Sequence, residues 1–310
     1  MVTGIFSQVG RYLAPILHDN NYIVMGTTKT YISSRRIPNT IVYPFEFAST
    51  QLTTLRPHVF FHLASMTNAD ECDQYAMDAL EANGVLACKY ADIIHRHRLA
   101  TKYIHTSSCE LYKGYGTYTV QDDDIEFRPS HPYAYAKCLA HNMLRHYRDI
   151  KGCWTSNAML WTTESQYRKP SFLLKKIALH IKEWKAGNHT TLQLGSIQQF
   201  RNINHAEDVA RALVLISQQE TPQDYVTCGD TFVCIEDAIM QFYEYVELPL
   251  TKHADRNVFT HNDEIVIQYQ QQNHRYFDAN INGVASKLKL LGWKPHHDLQ
   301  NIFKDLLVCD

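Results

Sequence analysis

The chain has 310 residues, of which 45% are hydrophobic and 20% are charged, as in an ordinary globular protein. Its formal net charge of −2 gives no electrostatic reason to expect nucleic acid or an anionic membrane as a partner. No apolar run approaches the roughly 20 residues that span a bilayer, and no signal-peptide pattern stands at the N-terminus. We therefore expect a cytoplasmic protein.

Cysteine and histidine spacing gives no reason to expect a metal site. The eight cysteines are scattered, and no two of them have C-x-x-C spacing. Scattered cysteines of this kind usually pack as small core residues in a reducing compartment. The histidine pairs at 95/97 and 296/297 lack cysteines or carboxylates at ligand spacing. The sequence therefore predicts no bound metal.

Apolar runs alternate with helical patterns in the first half of the chain, which predicts βαβ units around a parallel sheet. The predicted strands there are 22–26, 58–63, 101–106 and 155–161, and the predicted helices are 10–19, 76–98 and 132–148. In the second half the predicted helices are 172–185, 206–218, 234–246 and 284–291, with strands at 191–194 and 225–228. This order predicts an α/β domain at 1–165 and, at 166–310, mainly a smaller cap interleaved with the last strands of the sheet.

A turn with two glycines follows the first predicted strand. Its backbone N–H groups and the helix N-terminus after it can receive a pyrophosphate, although an ordinary β–α turn remains the alternative. Ser7 occupies the position where a glycine would allow close approach, and the strand before the turn is shorter than the typical 5–6 residues or so. The candidate cofactor-binding residues here are Gly4, Ser7, Gln8, Val9 and Gly10.

Tyr133 and Lys137 lie four residues apart in a predicted helix that begins at Pro132, so they share one helix face. A free tyrosine has a pKa of about 10, and a nearby ammonium favours the phenolate. A fall of about 3 pKa units needs roughly 4 kcal/mol and would make Tyr133 a base during hydride transfer. Ser108 and Glu110 follow the preceding strand, whose carboxyl end faces the ligand crevice of an open parallel sheet.

These residues lie in motifs that run along nearly the whole chain, and together the motifs resemble the GDP-mannose 4,6-dehydratase family of extended short-chain dehydrogenases/reductases. The motifs are G-x-x-S-x-x-G at 4–10, H-L-A-S at 62–65, S-S-C-E-L-Y at 107–112, H-P-Y-A-Y-A-K at 131–137, E-S at 164–165, S-F-L-L-K-K-I at 171–177, L-G-S at 194–196, R-N-I-N-H-A-E-D at 201–208, R-Y-F at 275–277 and L-G-W-K-P at 291–295.

The resemblance implies a Rossmann-type doubly wound parallel sheet with a smaller C-terminal substrate-binding cap, and NADP as cofactor. It also implies an internal redox cycle that converts GDP-mannose to GDP-4-keto-6-deoxymannose. Tyr133 and Lys137 would serve hydride transfer at C4, and Glu110 would take the C5 proton beside the hydroxyl of Ser108. A homodimer or homotetramer is expected, because relatives pair through the helices at 76–98 and 132–148.

Further roles follow from position within the resemblance. Leu63 and Ala64 would line the cofactor site. Lys29, or the pair at 35–36, would meet a 2′-phosphate. Lys176 and Arg201 match basic residues that hold the nucleotide diphosphate. Thr162 stands where the family has a substrate-binding asparagine, and a short nucleotide-binding segment after 277 is missing.

Two other functions remain open. A GDP-4-keto-6-deoxy-sugar reductase has the same fold but needs no C5 base, so Glu110 and the K-K-I helix favour the dehydratase. A non-catalytic structural relative is favoured by the short first strand, by Ser7 and by the missing segment. The complete set of Ser108, Glu110, Tyr133 and Lys137 argues against it.

Overall fold

The computed structural model describes residues 1–29, 36–270 and 279–308. The strands are β1 (Val2–Thr3), β2 (Val24–Thr28), β3 (Thr40–Pro44), β4 (Val59–His62), β5 (Lys102–Ser108), β6 (Thr117–Val120), β7 (Thr155–Leu160), β8 (Thr162–Glu164), β9 (Leu192–Leu194), β10 (Phe200–His205), β11 (Tyr225–Thr227), β12 (Phe232–Cys234), β13 (Thr251–His253), β14 (Val258–His261), β15 (Glu264–Tyr269) and β16 (Asn280–Gly283).

The helices are α1 (Gln8–Asp19), α2 (Ala48–Leu55), α3 (Ala69–Gln74), α4 (Ala76–Leu80), α5 (Leu86–Arg96), α6 (Pro132–Asp149), α7 (Leu173–Lys185), α8 (Ala206–Gln218), α9 (Ile235–Tyr245), α10 (Ser286–Leu290) and α11 (Leu299–Leu306). A π turn at Glu81–Val85 joins α4 to α5, and a 3₁₀ turn at Cys109–Tyr115 follows β5. Among the helices of the described ranges, none has the length and apolar character needed to cross a membrane.

A seven-stranded sheet in the order β11-β7-β5-β4-β1-β2-β3 forms the centre of the molecule. All of its strand pairs are parallel. The strand order reverses between β1 and β4, where open sheets of this kind form their ligand crevice. The prediction of an α/β fold with a Rossmann-type doubly wound sheet is therefore confirmed.

The first strand is short, but it does not interrupt the sheet. β1 consists of Val2 and Thr3, and both are fully buried between β2 and β4. The carbonyl of Met1 accepts a hydrogen bond of 2.9 Å from the Phe61 N–H, and the Thr3 carbonyl accepts one of 3.2 Å from Leu63. The backbone beside β1 thus continues its pairing with β4.

Helices cover both faces of this sheet. On one face α1 packs against α8, and on the other α5 packs against α6. The predicted helix at 76–98 is observed as α4, the π turn and α5. Although both follow residue 166, β11 is an edge strand of this sheet and α8 packs against α1 on one of its faces. The domain boundary at 165/166 itself remains a proposal.

The cap has its own core. Strands β13, β14, β15 and β9 form one sheet, and β12, β10 and β8 form another. Buried apolar side chains of α7, α9 and α11 pack against the first of these sheets. One stacked pair in this core is Phe242 and Phe303, whose ring centroids lie 4.2 Å apart. The cap therefore holds α7 in place beside the crevice.

The sequence analysis missed β3, α2, the hairpin of β14 and β15, and α11. The hairpin turns at Asn262 and Asp263, which have positive φ angles of 49° and 67°. Positive φ at both central residues fits the turns that close tight hairpins, where asparagine and aspartate are tolerated. α11 begins at Asp298, whose side chain accepts a hydrogen bond from the Asn301 N–H. Both signals are present in the sequence.

Asp224, the residue before β11, braces the sheet against α6. Its carboxylate forms two hydrogen bonds with the Arg148 guanidinium, at 2.7 and 3.1 Å. It also accepts bonds of 3.0 Å from the backbone N–H and the side-chain amide of Asn157 on β7. His141 Nε2 lies 3.3 Å from the same carboxylate. One buried anion thus ties α6, β7 and β11 together.

Replacing Asp224 with alanine removes the acceptor that Arg148 and His141 share. We expect a loss of about 3–5 kcal/mol in the free energy of unfolding, the range for breaking a buried ion pair. Burial raises the pKa of Asp224, but His141 and Arg148 outweigh it and lower the pKa below its usual value. The contribution of the Asp224 carboxylate to the free energy of unfolding is therefore complete at neutral pH. It is lost as the pH falls through the pKa that Asp224 has in the folded protein.

Urea unfolding at pH 7 measures this loss. The control is Asp149→Ala, which removes the carboxylate that lies 2.9 Å from Nε of the same arginine and is 52% exposed. We expect that variant to lose less than about 1 kcal/mol. Equal losses in the two variants would contradict the bracing role.

Candidate functional site

A single cavity of about 1560 Å³ runs along the carboxyl ends of β1, β4 and β5. It is larger than the roughly 300–1,000 Å³ of a site for one small molecule, so it has room for two ligands end to end. Most of the predicted site residues line it: Gly4, Ser7, Gln8, Val9, Lys29, Leu63, Ala64, Ser108, Glu110, Tyr133, Lys137, Thr162 and Arg201. Gly10 and Lys176 do not.

The glycine turn is shaped by close backbone approach. Gly4 has a φ of +70°, and a Cβ there would lie 3.0 Å from the backbone nitrogen of Ala64. A Cβ on Gly10 would lie 2.5 Å from the carbonyl oxygen of Ile5, so this glycine serves packing within the turn. Ser7 is the N-cap of α1, since its hydroxyl accepts a hydrogen bond of 3.2 Å from the Gly10 N–H. Ser7 therefore stabilises the helix at the position where a glycine was expected.

This end of the cavity fits the two phosphates and adenosine of a dinucleotide. The N-terminus of α1 supplies a partial positive charge toward the cavity. Lys29 lies at the end of β2, with its Nζ 5.8 Å from the ring centroid of Phe45 after β3. Both side chains line the cavity, which places a cation and an aromatic face at its far end. Of the alternative basic pair, Arg36 is exposed and Arg35 lies outside the described residues.

Gln8 connects the turn to the substrate side of the cavity. Its Nε2 donates to the Thr163 carbonyl at 2.8 Å, and its Oε1 accepts from the Ser165 hydroxyl at 3.1 Å. The side chain predicted to meet the cofactor is therefore engaged with β8 and the residue after it. α1 and β8 are held together at the cavity wall.

The sequence analysis missed Asn83, which lies in the π turn between α4 and α5. Its Oδ1 accepts hydrogen bonds of 2.8 Å from the Ser65 hydroxyl and the Met66 N–H, and its Nδ2 donates to the Met66 carbonyl at 2.9 Å. Asn83 is almost completely buried. It fixes the chain just after Leu63 and Ala64. A lone asparagine beside a glycine in a long predicted helix was the available signal.

Tyr133 and Lys137, both on α6, line the cavity. The Lys137 ammonium is buried and donates a hydrogen bond of 2.7 Å to the Thr106 carbonyl on β5. Its Nζ lies 5.9 Å from the Tyr133 ring centroid. Burial lowers the pKa of Lys137 to about 7. Burial also raises the pKa of Tyr133, and the hydrogen bond with Ser108 opposes that rise only in part.

Glu110 is held through one of its two carboxylate oxygens. Lys113 Nζ lies 2.6 Å from Oε2 and His131 Nε2 lies 2.8 Å from the same oxygen. Burial raises the pKa of Glu110, but Lys113 and His131 outweigh it and lower the pKa well below its usual range. Glu110 is therefore ionised at neutral pH. The sequence analysis missed both partners, although Lys113 follows Glu110 by three residues in a helical turn.

Basic residues line the end of the cavity that faces the cap. Arg201 is fixed by a hydrogen bond of 2.7 Å from its Nη1 to the Ala279 carbonyl. Lys176 points away, and its Nζ donates to the Gln193 carbonyl at 2.8 Å. The neighbouring Lys175 faces the cavity and donates to the Leu306 carbonyl at 3.0 Å. Besides Lys113, four cavity-lining cations were not predicted from the sequence: Arg168, Lys169, Lys175 and Lys182.

His297, which the sequence analysis did not regard as a ligand, lies close to His205 and Glu207. His205 Nδ1 accepts from the Glu207 N–H at 3.2 Å, and its Nε2 lies 2.9 Å from Asp305 Oδ2. His297 Nδ1 lies 3.0 Å from Asp208 Oδ2. These contacts engage both nitrogens of His205. The group acts as a hydrogen-bond network that fastens α11 and the segment before it to α8.

Asp305 on α11 extends this network to the cavity. Its Oδ2 accepts hydrogen bonds of 3.1 Å from the Tyr12 hydroxyl on α1 and 2.7 Å from the Gln166 N–H. Gln166 lines the cavity. One carboxylate of the cap therefore holds both the helix that follows the glycine turn and the loop that follows β8.

Known proteins match the chain over almost its whole length. A model of the GDP-mannose 4,6 dehydratase family matches residues 1–306. GDP-mannose 4,6 dehydratase 1 of Arabidopsis thaliana is 28% identical over 335 residues, which cover 98% of this chain and 87% of the plant protein. GDP-mannose 4,6-dehydratase of Sinorhizobium fredii strain HH103 is 29% identical over 251 residues, which cover 73% of this chain and 70% of the bacterial protein.

Solved structures share the fold at lower identity. RMD from Pseudomonas aeruginosa, complexed with NADPH, gives a TM-score of 0.75 at 18% identity, with 99% of this chain and 96% of RMD covered. DesIV, a dTDP-glucose 4,6-dehydratase from Streptomyces venezuelae with NAD bound, gives a TM-score of 0.79 at 15% identity, with 98% and 94% covered. Both therefore share the overall fold of this chain.

Replacing Lys137 with methionine should stabilise the fold. The pKa of Lys137 is about 7 in the folded protein, whereas an unfolded lysine keeps its ordinary value of about 10.4. At neutral pH the unfolded chain therefore binds more protons, and stability falls as the pH drops from about 10 toward 7. Removing the amine should raise the free energy of unfolding by about 3 kcal/mol at pH 7, less the lost hydrogen bond.

Urea unfolding at pH 7 and pH 10 measures this effect, and the gain should shrink at the higher pH. Lys89→Met is the control, because Lys89 is 57% exposed and pairs with Glu81 on the surface. It should change stability by less than about 0.5 kcal/mol. If the Lys137→Met protein is less stable than the wild type at pH 7, burial of the amine does not destabilise the folded protein.

Proposed function

The chain belongs to the GDP-mannose 4,6 dehydratase family, and from that premise we propose that it converts GDP-mannose to GDP-4-keto-6-deoxymannose with NADP as cofactor. The observation that carries the proposal is the convergence of Ser108, Glu110, Tyr133 and Lys137 on one cavity. A reductase on this fold needs the tyrosine and lysine but has no use for a base at C5. The placement of Glu110 therefore favours dehydration.

Tyr133 is the proposed acceptor of the proton on the C4 hydroxyl. A bound nicotinamide cofactor would supply the hydride acceptor for this oxidation and the hydride donor for the later reduction at C6, with no net change in its own redox state. Lys137 adds a positive charge close to the phenol when it is protonated, and its pKa of about 7 allows this near neutral pH. The hydrogen bond with Ser108 favours the phenolate as well.

Glu110 is the proposed base at C5. A ketone at C4 acidifies the C5 proton, so a carboxylate of modest basicity can remove it. The electron pair of the C5–H bond forms the C5–C6 double bond, and the C6 hydroxyl leaves as water with the proton that Glu110 took from C5. Since Glu110 is ionised and its side chain is only 22% exposed, it meets the first requirement of this step. This partial burial limits the competition of bulk water for the carboxylate.

The cations at the cap end of the cavity are suited to the nucleotide diphosphate. Arg201 presents a guanidinium that its bonds to the backbone hold in place, and such a group pairs well with phosphate oxygens. Arg168 and Lys175 line the same region. For the cofactor, Lys29 favours NADP over NAD because it can pair with a 2′-phosphate. NADPH is bound to RMD and NAD to DesIV, so both cofactors occur on this fold.

We also propose a homodimer that forms through α4 and α6. These helices pack side by side and expose large apolar side chains on their outer surface. Met77 is 73% exposed, Tyr135 is 58% exposed and Leu139 is 37% exposed. Large apolar side chains exposed together on two packed helices support an interaction surface there. A tetramer would need a second surface of the same kind.

Turnover of GDP-mannose tests the proposed function. The protein with NADP should yield a 4-keto-6-deoxy sugar nucleotide with no net change in NADPH, and NAD should support a lower rate. Glu110→Gln keeps the shape of the side chain but removes the base, so product formation should fall by about 10²–10⁴. Tyr133→Phe should suppress C4 oxidation itself. Mass spectrometry of the nucleotide and absorbance of the reduced cofactor measure the two steps.

The alternatives give different results in the same assay. A reductase would consume NADPH in proportion to a 4-keto-6-deoxy substrate. A structural relative would neither consume NADPH nor dehydrate GDP-mannose. Wild-type dehydration by Glu110→Gln would remove Glu110 from the mechanism even if Tyr133 proved essential.

The dimer is tested by light scattering. The wild-type protein should have about twice the mass of the chain, and Tyr135→Glu should shift it toward the monomer because it places a charge in the apolar patch. Leu290→Glu is the matched control, since Leu290 is 87% exposed on α10, away from the proposed interface. A monomeric wild type, or identical behaviour of the two variants, would contradict an interface through α4 and α6.

A further inference from the structure

Glu110 and Tyr133 must act on bonded atoms of the same sugar ring. Under the proposed function, the phenol addresses the C4 hydroxyl and the carboxylate addresses the C5 proton. Their spacing therefore has to be fixed within a fraction of an ångström, because small misplacements of reacting groups are costly. Glu110 lies on the 3₁₀ turn after β5, whereas Tyr133 lies on α6. A contact between these two elements is needed to set the spacing.

His131 provides such a contact. It is the residue before Pro132 at the start of α6, two positions from Tyr133. The proline ring fixes the backbone φ between the two side chains. The His131 and Tyr133 rings are nearly parallel, with an interplanar angle of 9° and centroids 6.1 Å apart. Position 131 is thus coupled rigidly to the phenol.

The contact with Glu110 is short, and its histidine side is buried. His131 Nε2 lies 2.8 Å from Glu110 Oε2, and the histidine side chain is only 3% exposed. Lys113 binds the same oxygen, but it belongs to the same 3₁₀ turn as Glu110 and so cannot relate that turn to α6. Because Lys113 and His131 both bind Oε2, the other carboxylate oxygen, Oε1, makes neither of these two contacts. His131 also lines the cavity.

We propose that His131 is the positioning residue for proton removal at C5: its Nε2–H holds Glu110 Oε2 so that Oε1 meets the C5 proton while Tyr133 faces the C4 hydroxyl. The proposal rests on the proposed function and assigns a role that neither oxidation at C4 nor a reductase requires. The bond changes are those of the elimination step above, and His131 keeps its proton throughout.

The test compares glutamine with asparagine at position 131. The amide nitrogen of glutamine can reach the position of Nε2, whereas that of asparagine reaches only the position of Nδ1. His131→Gln should keep dehydration within about threefold of the wild type, and His131→Asn should lower kcat by about 10²-fold with little change in KM. Transient formation of the reduced cofactor, which reports C4 oxidation, should persist in both variants. Solvent deuterium incorporation at C5 should fall with kcat in His131→Asn.

His146→Gln and His146→Asn provide a matched control, because His146 lies on α6, is exposed, and contacts the Tyr147 ring only edge to face. Both should behave as the wild type. Equal losses in His131→Gln and His131→Asn would show that position 131 serves only the fold. Loss of C4 oxidation together with dehydration in His131→Asn would overturn a role restricted to C5.

A second measurement needs no turnover. The side-chain carboxyl signal of Glu110, followed by ¹³C NMR with selective labelling, reports its pKa. That pKa should stay low in His131→Gln and rise toward the usual value in His131→Asn, because the hydrogen bond from His131 lowers it. An identical titration in all three proteins would overturn the contact. If the wild type turns over no GDP-mannose, the proposed function fails, while this titration still tests the pairing of His131 with Glu110.

Discussion

The hydrogen bond from the Lys137 ammonium to the Thr106 carbonyl joins α6 to β5 at the centre of the cavity. The arrangement of the site depends on this junction, because β5 and its turn carry Ser108 and Glu110, whereas α6 carries His131 and Tyr133. Burying an amine there destabilises the folded protein, and the lowered pKa of Lys137 reflects this effect. Farther along α6, Arg148 and Asp224 brace the same helix against the sheet. The helix is thus fixed at both of its ends.

Two buried histidines near Lys137, His62 and His105, add no positive charge to this junction. His62 and His105 are buried side by side under Lys137, with ring centroids 5.6 Å apart. Burial and then the nearby Lys137 lower the pKa of His62 to about 3 and that of His105 well below its usual range. Both rings are therefore neutral at physiological pH. A positive charge on Lys137 would then be free to balance the phenolate proposed for Tyr133.

The parallel sheet and the residues of the proposed chemistry could be predicted because each was encoded locally. The i, i+4 spacing of Tyr133 and Lys137 and the polar run after β5 required no knowledge of distant contacts. The partners of Glu110 could not all be found in this way, since His131 follows it by 21 residues and meets it only in the folded chain. The orientation of Lys175 and Lys176 could not be predicted from the sequence either. Adjacent helical residues point in different directions, and packing alone decides which of the two side chains faces the cavity. The contacts of Asn83 depend on a π turn, and no regular sequence pattern predicts such a turn.

The bond from Tyr12 to Asp305 joins residues that are 293 positions apart. Ribosomes add only about 5–20 residues each second, so the first βαβ units emerge many seconds before their partner on α11 is made. During that interval the helix after the glycine turn lacks one of its anchors, and the loop at Gln166 lacks the same carboxylate. Contacts of such high sequence separation also slow folding, because loop-closure entropy is spent before they form. A nascent chain of this protein should thus remain accessible to chaperones along its cofactor side until synthesis is nearly complete.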